Sequence, residues 1–75
     1  MAVFAFVLLN CRFPFDKTIT EKLCQVSAVT NIYRTCGVYD LILKVRADTE
    51  DHLHKVSNEI SVIKNVGSAV TMIIA

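Results

Sequence analysis

The 75-residue sequence has little glycine, no tryptophan and no long apolar run. Its two glycines, Gly37 and Gly67, are too few for the glycine-rich loop that cradles a nucleotide phosphate. The longest apolar run, Ala2 to Leu9, is far shorter than the ~20 residues of a membrane helix. No Lys or Arg precedes that run and no small-residue cleavage site follows it, which argues against a signal peptide. We therefore expect a mature, cytoplasmic chain.

Neither sign of charge is in excess. Eight Lys and Arg residues face seven Asp and Glu residues, for a net charge of +1. A nucleic-acid-binding domain typically has a basic patch and a high pI, and a membrane-surface protein has a polybasic cluster. The composition therefore predicts no direct contact with nucleic acid and none with a membrane.

Metal-binding and redox motifs are missing as well. The three cysteines, Cys11, Cys24 and Cys36, form no CxxC pair, which favours free thiols in a reducing compartment and leaves a Cys11–Cys36 bridge open. His52 and His54 are two positions apart on a predicted helix, so they do not share a face and cannot chelate one metal ion. We expect no metal site and no cofactor.

The chain is apolar for its size. Hydrophobic residues make up 53% of it, although a domain this small buries only about 60% of the surface of its unfolded chain. The remaining apolar surface needs a cover. This favours a homo-oligomer over a monomer.

Hydrophobic periodicity predicts six elements in the order β-α-β-β-α-β. The helices are expected over residues 17–27 and 48–63, because apolar residues recur there at helical spacing. Thr18 with Glu21 fits a capping box for the first helix, and Asp16 is an equally good cap. Four strands are expected over residues 3–10, 30–35, 40–47 and 69–75, with a tight connection at residues 36–38.

A weak internal repeat supports this order. Displaced by 37 positions, Ile19 coincides with Val56 and Leu23 with Ile60, and Phe4 coincides with Leu41. Two βαβ units of this kind, joined by right-handed crossovers, give a ferredoxin-like α+β fold. Its four-stranded antiparallel sheet carries both helices on one face. We take residues 1–75 as a single domain.

The opposite face of this sheet has no helix to cover it. In the first strand, either the set at residues 3, 5, 7 and 9 or the set at residues 4, 6 and 8 points away from the helices, and both are apolar. In the last strand the choice is between residues 70, 72 and 74 and residues 71 and 73. Such a face exceeds the apolar patch usual for a monomer. We therefore predict a homodimer packed sheet to sheet, a dimeric α+β barrel.

No catalytic residue is predicted. Cys36 is the one tempting nucleophile, but no histidine lies on that part of the chain to act as its base. The connection around it, residues 35–40, has two interpretations. Gly37 and Asp40 fit ordinary turn chemistry. The alternative is a small-ligand site, in which amide N–H groups and Asp40 engage a zwitterion and Tyr39 forms a wall.

At this hairpin the sequence becomes specific. The segment from Gly37 to Val45 resembles the Gly-x-Tyr-Asp-hydrophobic signature of the effector-binding domain of the Lrp/AsnC transcription regulators, and the resemblance covers essentially the whole chain. It implies a dimer that assembles further into a ring of dimers, with an amino-acid effector in the crevice between dimers. The implied ligand-binding residues come from the hairpin and from the hydroxyls of the last strand: Gly37, Val38, Tyr39, Asp40, Ser68 and Thr71.

In full-length regulators of this family, a DNA-binding helix-turn-helix precedes the domain. Here the domain starts at Met1, so the chain is similar to the stand-alone members, the RAM (regulation of amino acid metabolism) proteins, and we expect no DNA-binding domain. The resemblance then implies a cytoplasmic amino-acid sensor, not an enzyme, that modulates amino-acid metabolism or transcription. It would act through ligand binding or through co-assembly with full-length regulators.

Two alternatives share the predicted order of elements. A monooxygenase-like dimeric barrel enzyme needs polar groups between sheet and helices, whereas the predicted inward helix positions are all apolar: Ile19, Leu23, Leu53, Val56 and Ile60. An ACT-like regulatory subunit typically has a glycine in the loop after the first strand, and residues 10–15 contain none.

Overall fold

The computed structural model describes residues 2–12 and 17–74 of the chain. Its elements follow the predicted order: β1 (Val3–Cys11), α1 (Lys17–Cys24), β2 (Val29–Arg34), β3 (Leu41–Ala47), α2 (Glu50–Ser61) and β4 (Val66–Ile73). The strands form one antiparallel sheet in the order β2-β3-β1-β4. The predicted ferredoxin-like α+β fold is confirmed.

The core lies between the sheet and the two helices. All five helix positions that the sequence placed inward are at most 3% exposed: Ile19, Leu23, Leu53, Val56 and Ile60. From the sheet, the buried set consists of alternate residues of the two central strands: Ala5, Val7, Leu9, Leu41, Leu43, Val45 and Ala47. No polar side chain is buried among the described residues. The core is thus held by apolar packing alone.

The first strand resolves the question of faces that the sequence left open. Phe4, Phe6 and Leu8 lie on the side away from the helices, together with Val70, Met72 and Ile74 of β4 and its end. Phe4, Met72 and Ile74 are 41%, 50% and 42% exposed. We call this side the open face. The β1 and β4 residues named here are apolar, as predicted. Lys44 of the inner strand β3 lies on the same face, with its ammonium 6.0 Å from the centroid of the Phe4 ring.

The internal repeat holds for the helices but was wrong for the strands. The repeat matches Phe4, on the open face, with Leu41, which is buried under the helices. Successive residues of a strand point to opposite faces, so an offset that is wrong by one residue exchanges the faces. The 37-residue offset that aligns the helices therefore misaligns the strands.

Helix α1 is shorter than predicted. It ends at Cys24, because the amides of Gln25 and Val26 bond to carbonyls three residues back, a tightening that closes a helix. Thr18 lies inside the helix, so its role as the cap was wrong. The alternative cap, Asp16, lies outside the described residues, as do residues 13–15 of the predicted loop before it.

Helix α2 begins at Glu50, two residues after the predicted start. The Thr49 hydroxyl accepts a hydrogen bond from the His52 amide at 3.1 Å, and Glu50 and Asp51 occupy the first turn, where negative charge is favourable. The helix ends at Ser61, two residues before the predicted end. Asn65 then takes a left-handed conformation with φ of 74°, which asparagine tolerates well. This turn starts β4 at Val66, three residues earlier than expected.

Candidate functional site

The connection between β2 and β3, residues 35–40, is closed by its own hydrogen bonds. The Thr35 amide donates to the Asp40 carbonyl at 3.0 Å, and the Thr35 hydroxyl donates to the Tyr39 carbonyl at 2.5 Å. Gly37 has a φ of 140°, a backbone conformation that residues other than glycine rarely adopt. A Cβ at this position would meet no atom within 4 Å, so the backbone conformation, not crowding, requires the glycine.

Asp40 joins this hairpin to the end of β1. Its amide donates to the Leu9 carbonyl at 2.9 Å, and its carboxylate Oδ2 accepts from the Cys11 amide at 2.8 Å. The bond between Asp40 and Cys11 connects residues 29 positions apart. The turn interpretation of Asp40 is therefore right that it serves the backbone, but the backbone it serves belongs to another strand.

Burial and the contact with Asp40 both affect the pKa of the Cys11 thiol. Burial of the thiol and, secondarily, the adjacent Asp40 carboxylate raise the pKa of Cys11 above its ordinary value. Both effects disfavour the thiolate, so this cysteine is a poor nucleophile at neutral pH. All three cysteines are free thiols, and Cys24 and Cys36 are exposed. The Cys11–Cys36 bridge that the sequence left open is not formed.

Ser68 lies near the same end of the sheet as the hairpin, on the other side of β1. It faces Asn10 across the β1–β4 ladder, and the Asn10 side-chain amide donates to its hydroxyl at 3.4 Å. The strands approach closely here, since a Cβ on Gly67 would lie 3.2 Å from the Asn10 carbonyl oxygen. Ser68 and Asn10 both lie on the open face.

Thr71 faces the other way. It pairs with Val7 on the helix side of the sheet, and its hydroxyl lies 2.9 Å from the Ser57 hydroxyl of α2. Of the six residues in the implied ligand set, the structure thus places four in the hairpin, with Val38 81% exposed and Tyr39 half-buried. Ser68 is near the same end of the sheet and Thr71 is separate. Their role in binding stays a prediction.

Three residues with polar contacts in or near this region were not predicted from the sequence to take part in the site. Asn10 ends an apolar strand with a polar side chain, a signal that could have pointed to it. Cys11 contributes through its amide, which leaves no trace in the residue type, and Ser57 is one of several polar residues on its helix. Only the tertiary pairing reveals these two.

Other chemistry finds no support in the described ranges. No three His, Cys, Asp or Glu side chains within residues 2–12 and 17–74 come together to hold a metal ion. The His52 Nδ1 atom accepts from the Asp48 amide at 3.2 Å, a contact at the helix start, and His54 is exposed. Neither helix of this part of the chain is long and apolar enough to cross a membrane.

With this geometry established, comparison with known proteins defines the class. The family model of the Lrp/AsnC ligand binding domain matches residues 5–75, nearly the whole chain and the entire hairpin. The chain therefore belongs to the Lrp/AsnC family, as the Gly-x-Tyr-Asp segment predicted.

Individual relatives agree with this assignment. The HTH-type transcriptional regulator FL11 of Pyrococcus furiosus is 25% identical over 96% of this chain, which covers 48% of that protein. An uncharacterized HTH-type transcriptional regulator of the same organism is 33% identical over 92% of the chain, which covers 49% of it. The chain thus spans about half the length of the curated relatives it matches.

Solved structures share the fold. The crystal structure of FFRP-DM1 is similar over 97% of this chain and 99% of that one, with a TM-score of 0.90 and 32% identity. Escherichia coli AsnC is similar over 96% of this chain and 50% of its own, with a TM-score of 0.88 and 30% identity. A feast or famine regulatory protein from M. tuberculosis, complexed with L-methionine, shares the fold at 23% identity and a TM-score of 0.83. It covers 96% of this chain and 49% of its own.

Proposed function

We propose that this chain is an amino-acid effector domain that assembles through its sheet and modulates amino-acid metabolism or transcription in the cytoplasm. The observation that carries the proposal is the hairpin of residues 35–40. It lies within the part of the chain that matches the family's ligand-binding domain, and Asp40 fixes it to the central strand. A loop held by both its backbone and a carboxylate offers a preformed surface, so little ordering cost opposes binding.

An amino acid is the ligand class that these groups suit. Its carboxylate can accept hydrogen bonds from hairpin amides, its ammonium can donate to Asp40, and Tyr39 can cover its side chain. The M. tuberculosis protein that shares the fold was solved with L-methionine, which supports the ligand class without naming the ligand of this chain. The relatives named above are transcriptional regulators, which supports a regulatory and not a catalytic role.

Assembly is proposed through the open face. Its exposed apolar side chains would be costly to leave in water, and a second copy presents the same face under a twofold axis. In such a dimer the hairpin of each chain lies at an end of its sheet. A second dimer that packs against this end would form a crevice with the hairpin, and repeated packing of this kind would form a ring. Ser68 would line such a crevice readily. Thr71 would do so only after giving up its contact with Ser57.

Co-assembly is the second route by which the domain would act. Full-length relatives contain this domain in about half of their length, so their sheets could pair with that of this chain. A mixed dimer would change the number of DNA-binding units in an assembly. We propose co-assembly of this kind as a second way in which the domain takes part in regulation.

The test is the absolute mass in solution by light scattering, with and without each of the twenty amino acids at millimolar concentration. We expect a multiple of the 8.4 kDa chain, and a change in mass or thermal stability with one amino acid. Gly37→Ala should remove that response and leave the dimer, because it strains the hairpin at a site where no atom is displaced. A monomer, or an assembly indifferent to all twenty, would contradict the proposal.

A further inference from the structure

A concave site lies away from the hairpin, on the helix side of the sheet, between α1 and the edge strand β2. Its volume is about 660 Å³, within the range of small-molecule sites. Seven described residues line it: Lys17, Thr20, Glu21, Cys24, Ile32, Arg34 and Leu41. None of them belongs to the implied ligand set of the hairpin.

The cleft has one wall from each element. On α1 the lining residues recur at positions 17, 20, 21 and 24, the spacing of one helical face, beside the buried stripe of Ile19 and Leu23. On the sheet, Arg34 pairs with Leu41 and Ile32 with Leu43, so both β2 side chains share the face of the buried β3 residues. The cleft is therefore built by regular elements and not by a loop.

The cleft has an apolar part and a charged part. Leu41 is 1% exposed and Ile32 is half-buried, which gives an apolar floor. Lys17 and Arg34 supply two cations and Glu21 a single acid, for an excess of one positive charge. Arg34 already has an interaction within the chain, but a guanidinium has five N–H donors and can serve a second acceptor.

We propose that this cleft binds a small aliphatic carboxylate, with its chain on Ile32 and Leu41 and its carboxylate between Lys17 and Arg34. Glu21 is placed to accept from an α-ammonium group, so an amino acid should bind more tightly than the 2-oxo acid of the same carbon skeleton. The site lies within one subunit, and it does not depend on the amino-acid site proposed at the hairpin.

Cys24 allows a direct test because it is an exposed thiol on the cleft wall. In a Cys36→Ser background it is the only exposed cysteine, and Cys11 has a raised pKa and reacts slowly. The rate of its reaction with a thiol reagent is measured against increasing L-leucine and against increasing 4-methyl-2-oxopentanoate. We expect both compounds to slow labelling of Cys24 in a saturable way, with leucine effective at the lower concentration.

Two lysines of the same helix provide a matched pair. Lys17→Gln should raise the concentration needed for protection about tenfold, the effect of losing one charged hydrogen bond. Lys22→Gln should not, because Lys22 does not line the cleft. Glu21→Gln should weaken protection by leucine and leave protection by the oxo acid unchanged. Each variant is compared with and without ligand, which removes any direct effect of the substitution on thiol reactivity.

Unchanged labelling with both compounds would overturn the proposal, and so would equal effects of the two lysine variants. The result is separable from the hairpin proposal. Protection of Cys24 without any change in assembly mass would support the cleft and count against the effector site. A mass response that Gly37→Ala abolishes, without protection of Cys24, would do the reverse.

Discussion

The two faces of the sheet use the same strands but different side chains. The helix-covered face carries small and aliphatic residues of β1 and β3, from Ala5 to Leu43, and each is almost fully buried. The open face carries larger and more adaptable ones: Phe4, Phe6, Tyr33 and Met72. A helix must approach the sheet closely, so small and aliphatic residues suit the helix-covered face. Aromatic and methionine side chains suit a face that meets another surface, because they bury more area each.

The comparison also separates two kinds of stability. Burial on the helix-covered face belongs to folding of one chain, whereas burial on the open face belongs, in the proposed dimer, to association. Substitutions on adjacent residues of one strand should therefore have effects in different experiments.

Phe6→Asp should have the largest effect, and this effect should be a loss of dimer formation. Phe6 is half-buried on the open face and pairs with Lys44 across the sheet, so in one chain the new carboxylate stays hydrated and can interact with that ammonium. In a twofold dimer the carboxylate is taken out of water twice over, and the desolvation of a charge is costly even when the charge is paired. We expect loss of the dimer by light scattering. Val62→Asp is the control, because Val62 is 79% exposed beyond the end of α2. A Phe6→Asp chain that stays dimeric would break the comparison.

Leu43→Ala should come next, and it should fall on folding. Leu43 is fully buried between sheet and helices, so the truncation leaves a cavity and should cost about 2–5 kcal/mol of unfolding free energy. Denaturant unfolding measures it. The neighbouring Ile42→Ala, on the open face, should lower unfolding free energy less and association more. Equal effects of the two variants in both assays would show that the faces are not distinct.

Asp40→Ala should have an intermediate effect, since Asp40 stands at the end of the sheet that both faces share. Removing the carboxylate leaves the Cys11 amide without its acceptor, at a cost of about 1–3 kcal/mol. Thermal unfolding measures the loss, and light scattering should still show the dimer. Asp40→Asn keeps an oxygen acceptor and should recover much of the stability without the charge that the proposed ligand needs. If Asn is no better than Ala, the bond to Cys11 is not what Asp40 contributes.

Thr49→Ala tests the start of α2, one of the two helices on the helix-covered face. The hydroxyl caps α2 by accepting from the His52 amide, so its loss should cost about 1 kcal/mol in denaturant unfolding. Thr49→Ser retains the hydroxyl and should cost little. An alanine variant as stable as the serine variant would show that the cap is dispensable.

Cys11 should give the smallest effect, and only at alkaline pH. Its pKa is raised in the folded chain, by burial first and by Asp40 second, so unfolding releases a more acidic thiol. The stability associated with this group is complete below the pKa of the unfolded thiol and is lost as pH rises through the raised pKa. Cys11→Ser should flatten the fall in denaturation midpoint above neutral pH. An equally steep fall in that variant would assign the dependence to other groups.

The sequence predicted what short-range periodicity determines. The buried faces of both helices followed from apolar residues at helical spacing. The face of β1 did not follow, because both alternating sets of that strand are apolar and period two cannot choose between them. The misaligned repeat has the same origin.

The candidate site was predicted less completely. The glycine of the hairpin follows from local geometry, since only its own φ decides it. The bond from Asp40 to Cys11 and the contact of Thr71 with Ser57 depend on how elements far apart in the chain are registered. No local pattern records that register, so Asp40 could be located as a turn residue but not as a connection between strands.

The strand order has a consequence for how the domain comes into being. β1 is the first strand of the domain to leave the ribosome, yet both of its neighbours in the sheet, β3 and β4, are made later, and β4 is the last element. The most apolar strand must therefore wait, unpaired, until almost the whole domain has been synthesised. Pairs such as Asn10 with Ser68, 58 positions apart, also make closure slow. Nascent chains of this domain should accordingly depend on their rate of completion, and on chaperones that hold an exposed strand, more than their small size suggests.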